Sequence, residues 1–108
     1  MMYYDFEANN KSYKLRLNTR NTIALEKKLG CNPLSIFGDG STLPTVEQMV
    51  TILWASLQAY NHNITLDNAA DIFDDYLNDG NLMTDFFNVI IEVYKVSGLM
   101  PSEESEKN

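Results

Sequence analysis

Two side chains are the usual starting points for nucleophilic or metal chemistry here: the lone cysteine, Cys31, and the lone histidine, His62. A cysteine nucleophile needs a base within hydrogen-bond reach and a third group that orients the base. No spacing ties Cys31 to His62, so Cys31 is expected as buried filler and His62, within Asn61-His62-Asn63, as a surface turn residue. Carboxylates are far more numerous. Asp71, Asp74, Asp75 and Asp79 crowd one stretch, and a helix there puts Asp71 and Asp75 on a shared face, where they would suit a hard cation. A calcium loop opening at Asp75 needs its closing acid at position 86, which is Phe86. Gly38-Asp39-Gly40 lacks the lysine and the strand-to-helix setting of a phosphate loop. Trp54, in an apolar stretch with no basic groove beside it, reads as core rather than as a platform for bases. The residues therefore predict no enzyme, no cofactor and no tightly bound metal.

Charge narrows the partners. The chain has a net charge of −7, against the basic patch that nucleic acid requires. Six of its eight basic residues precede position 29, and none lies between Lys28 and Lys95. That gap holds Asp39, Glu47, Asp67, Asp71, Asp74, Asp75, Asp79, Asp85 and Glu92. An acidic face of this kind keeps a protein soluble, and it also steers a basic partner. No apolar run approaches the ~18 residues that span a bilayer, and Asp5 and Glu7 sit where a secretion signal would be basic. With a single cysteine no internal disulfide forms, as suits a reducing cytoplasm.

The elements that must carry these residues are legible from periodicity. Residues 2–17 read as a β-hairpin: Met2, Tyr4 and Phe6 alternate with polar neighbours, as do Tyr13, Leu15 and Leu17. A turn at Asn9-Asn10 pairs Phe6 with Tyr13, Tyr4 with Leu15 and Met2 with Leu17 on one face, and Asp5 with Lys14 and Tyr3 with Arg16 on the other. Four helices follow at about 19–29, 45–60, 65–79 and 81–97, giving a mainly α fold (α+β by strict count) in one domain over residues 1–100. Residues 101–108 read as an acidic flexible tail.

The first helix, capped by Asn18 or Thr19 and ended by Gly30, is expected to bury Ile23, Leu25 and Leu29, and the connector after it Leu34, Ile36 and Phe37. The central helix opens on Pro44 and a Thr45/Gln48 capping box, and is apolar almost all round. Val46, Met49, Val50, Leu53, Leu57 and Tyr60 form its main stripe, leaving Glu47, Gln48, Thr51 and Gln58 as the polar side. In the third helix, capped by Thr65, the stripe is Leu66, Ala69, Ala70, Phe73 and Leu77, with Tyr76 at its margin. Met83, Phe86, Phe87, Ile90, Val93 and Tyr94 form that of the fourth, which Gly98-Leu99 and Pro101 stop.

The order of short phrases carries a further reading. Tyr13-Lys-Leu-Arg-Leu17, Leu25-Glu-Lys-Lys-Leu-Gly-Cys-Asn-Pro-Leu34, Pro44-Thr-Val-Glu-Gln-Met49 through Ala55, Ile64-Thr-Leu-Asp67 with Ala70 through Tyr76, and Glu92 through Leu99 follow one another. Together, over about positions 12–99, they resemble the tail assembly chaperones of long-tailed (siphovirus-type) bacteriophages and prophages. The resemblance implies a non-catalytic protein of the host cytoplasm, absent from the mature virion. It implies binding to the tape-measure protein and recruitment of tail-tube subunits, with self-association also open. On that reading the partner-binding candidates are Asp71, Asp74 and Asp75 with aromatics expected to be exposed beside them, Tyr76 and Phe87. The alternative is a small helical regulator, antitoxin-like or transcription-associated, acting through protein contacts. A helix-turn-helix of that class would carry a basic recognition helix, which positions 29–94 do not supply.

Overall fold

The computed structural model describes residues 2–38 and 43–101. Its first element is the hairpin, β1 (Tyr4–Ala8) against β2 (Lys11–Leu15). Asn9 and Asn10 both adopt positive φ, 54° and 62°, the conformation a two-residue hairpin turn demands and one that asparagine tolerates. The register is the expected one, with Tyr4 opposite Leu15, Asp5 opposite Lys14 and Phe6 opposite Tyr13. Pairing stops there, short of Met2 and Leu17, because the next donors are taken by helices. The Arg16 N–H donates to the Ser56 carbonyl (3.0 Å) and the Leu17 N–H to Ser97 Oγ (2.8 Å).

Four α-helices follow: α1 (Thr19–Leu29), α2 (Val46–Leu57), α3 (Leu66–Asn78) and α4 (Met83–Val96), with a short 3-10 turn at Pro33–Phe37 between the first two. Their ends obey local chemistry. Asn18 Oδ1 caps α1 by accepting from the Asn21 N–H at 2.8 Å. The Thr45/Gln48 box opens α2 with both of its bonds made, at 2.9 and 3.1 Å. A second box, Thr65 with Asn68, opens α3. At α4 only half of such a box is available: Asp85 Oδ2 accepts from the Leu82 N–H at 2.7 Å, and leucine has no acceptor to return the bond. Gly98, at φ 81°, closes α4 in a Schellman turn, its own N–H reaching Lys95 O and that of Leu99 reaching Tyr94 O. α2 ends at Leu57 rather than Tyr60, as Gln58 and Tyr60 tighten to three-residue bonds and Gln58 Nε2 bridges Trp54 O and Ile64 O.

α2 is the element the others pack around. α1 and α3 both lie against it, β2 rests on it, and β1 lies over α3 and α4. Leu53 and Leu57 are fully buried, as expected of a central helix. Thr51, assigned to the polar side, is buried as well, and its hydroxyl can afford this because it donates to the Glu47 carbonyl at 2.7 Å. Between hairpin and helices sits an aromatic knot: Phe6 stacks on Tyr76 at 5.0 Å and meets Phe86 edge-on at 5.9 Å, while Phe73 meets Phe86 at 5.1 Å.

Several burial expectations are overturned. Ile23 is 48% exposed, and Leu34 and Cys31 also face solvent. Val46, Tyr60, Leu66 and Met83, placed at the ends of apolar stripes, are exposed. In their place Ile72 and Val89, outside the expected stripes, are buried. His62 is exposed in the α2–α3 connection, as expected. The tail expected over 101–108 lies outside the described residues beyond Pro101.

Candidate functional site

The five residues expected to form one partner surface do not come together. On α3 the buried face is Ala69, Ile72, Phe73 and Tyr76. Helical geometry puts Asp67, Asp71 and Asp74 on the opposite side, and all three are exposed. Asp75 lies off that ridge, half-buried and turned toward the hairpin. The Tyr13 phenol has its pKa raised, first by burial and then by the Asp75 charge. Tyr76 is 7% exposed, a core residue and not an exposed aromatic. Burial, reinforced by Asp85 and Tyr4, pushes its phenol up to about 12. Phe87 is half-buried, edge-on to Phe37 at 5.4 Å. What remains of the expected surface is an acidic ridge without aromatics. Asp79 has a structural task instead, its Oδ2 accepting the Asn9 N–H at 2.9 Å and tying the hairpin turn to the end of α3.

Neither reactive residue has the setting of a nucleophile. Cys31 is exposed just after α1, and His62 lies in another connection. Among the described residues no three His, Cys, Asp or Glu side chains converge as metal ligands would.

A concave feature lies elsewhere. A cleft of about 420 Å³ opens where β2 runs into α1 and α4 ends. Its apolar lining is Leu17, Ile23 and Leu99, and its polar lining includes Thr19, Thr22 and Ser97. Several wall groups are already engaged: Arg16 Nη1 donates to Met2 O (2.8 Å) and Val96 O (3.1 Å), and Thr22 Oγ1 donates to Asn18 O (2.8 Å). Such walls are held in place and offer an inserted apolar side chain a preformed seat. Exposed Ile23 is explained by this cleft. Its segments are some 80 residues apart in sequence, so no local pattern announces it. The one available signal was an isoleucine on a helix with few apolar residues.

A family model covers residues 5–107 of this chain, nearly its whole length, and its description is a family of unknown function, DUF6096. The chain belongs to that family. No curated protein and no solved structure matches it. As a member of DUF6096, then, this chain combines a hairpin and four helices with an acidic ridge on α3 and a cleft at the α1–α4 corner. No helix among the described residues is long and apolar enough to cross a membrane.

Proposed function

We propose that this chain is a non-catalytic assembly chaperone for the tails of long-tailed bacteriophages. In this reading it binds the tape-measure protein and helps recruit tail-tube subunits, working in the cytoplasm of the bacterial host and leaving before the virion is complete. The observation that carries the reading is the ordered set of phrases resembling that family. They fall on successive elements: β2, the end of α1 with the following turn, α2, α3 and the end of α4. The cleft supports it physically. A long helical client presents apolar side chains at intervals, and a shallow seat lined by Leu17, Ile23 and Leu99 binds one of them without committing the client permanently.

The test is a pull-down of the tape-measure protein encoded beside this gene, using the full chain and a Thr22→Trp variant whose indole plugs the cleft. Wild type should capture the client, and the variant, with unchanged circular dichroism, should bind it at least about tenfold more weakly. Equal binding by the variant would move the contact away from the cleft. No binding by wild type would overturn the chaperone reading itself.

A further inference from the structure

The basic stretch on α1 and the acidic stretch on α3 become two outward-facing ridges, and no ion pair joins them among the described residues. α1 and α3 each bury one face, α1 through Leu25 and α3 through Ala69, Ile72, Phe73 and Tyr76. On the outward side of α1 stand Arg20 and Lys27, and on that of α3 Asp67, Asp71 and Asp74, all exposed. Among the described residues a single ion pair forms, Lys95 with Glu92 at 3.6 Å, and it involves neither ridge.

The spacings match. Arg20 and Lys27 are seven residues apart, as are Asp67 and Asp74, so both ridges place their charges two turns apart, roughly 10 Å along a helix. We propose that the α1 ridge of one copy docks on the α3 ridge of a second copy, so that copies of this chain associate head to tail. The surfaces joined are different, which makes the contact heterologous and lets it propagate from copy to copy. Two like-facing contacts are disfavoured, since α1 on α1 opposes bases and α3 on α3 opposes acids. The net charge of −7 repels copies at long range, but at physiological salt charges farther apart than about 8 Å are screened while the ridge contacts are not. Two helix ridges bury an area at the small end for protein interfaces, so the association is weak and reversible.

Sedimentation velocity of the isolated chain tests this without any tape-measure protein, so it stands or falls apart from the chaperone reading. Wild type at up to about 1 mM should form species beyond the monomer that recede as salt rises toward about 0.5 M. Two charge-reversed variants, Arg20→Glu with Lys27→Glu and Asp67→Lys with Asp74→Lys, should each remain monomeric with native circular dichroism. Mixed in equal amounts they should associate again, because the reversed α1 ridge of one then fits the reversed α3 ridge of the other. A monomeric wild type at every salt concentration would overturn the proposal. So would variants that self-associate as wild type does, or folded variants whose mixture stays monomeric.

Discussion

At the residue scale, burial follows from whether a side chain's polar atoms find partners as much as from how apolar it is. Thr51 and Ser56 lie inside because their hydroxyls donate to carbonyls one helical turn back, Glu47 and Ile52. Ile23 lies outside because nothing in the fold reaches over it. Leu53 is fully enclosed, so Leu53→Ala should cost about 2–5 kcal/mol from lost transfer energy and an unfilled cavity, measured by urea unfolding. An effect well under ~1 kcal/mol would mean α2 is not the centre of the core. Asn10, at φ 62°, occupies a position that glycine fills without strain. Asn10→Gly should therefore raise stability by about 0.5–1 kcal/mol, read as a higher denaturant midpoint at unchanged slope.

At the scale of elements, the helices are set by their caps and the hairpin by its anchor. Thr45→Ala removes the hydroxyl that holds the Gln48 N–H, and should cost about 1 kcal/mol with fraying confined to the start of α2. The hairpin cannot stand alone, and its turn is tethered by the bond from the Asn9 N–H to Asp79. Asp79→Ala should speed hydrogen exchange in β1 and β2 while the amides in the middle of α2 keep their protection. Uniform loss of protection would show instead that hairpin and helices open as one unit.

At the scale of the whole molecule, the buried tyrosines make the fold sensitive to alkali. Burial raises the phenol pKa of Tyr76 to about 12, and raises that of Tyr94, whose hydroxyl donates to the Pro33 carbonyl at 3.0 Å. Unfolded, both phenols return to the ordinary 10.0, so the unfolded chain gives up its protons first. The stability linked to them is therefore complete below pH 10.0 and is lost as pH rises through the higher native values. The thermal midpoint should hold up to about pH 10 and fall between about pH 10 and pH 12, with tyrosinate absorbance appearing alongside loss of helix. Tyr76→Phe should make that fall shallower. An unchanged pH profile in the variant would remove Tyr76 from the linkage.

By itself the sequence determined the elements and their order. Alternation and a pair of asparagines specify the hairpin and its register, and caps such as Thr45/Gln48 and stops such as Gly98 specify helix ends, because each acts over a few residues of chain. It also determined that acids concentrate on α3, leaving Asp71 and Asp74 exposed. Which flank of each apolar stripe faces inward was settled only by packing. Tyr76, at the margin of its stripe, became core because Phe6 of the hairpin stacks on it, and Ile72 and Val89 are also buried while Leu66 and Met83 are left out. The cleft, too, belongs to tertiary structure alone. It exists because Arg16 and Leu17 bond to Val96 and Ser97 across the length of the chain, a juxtaposition that no periodicity within α1 or α4 encodes.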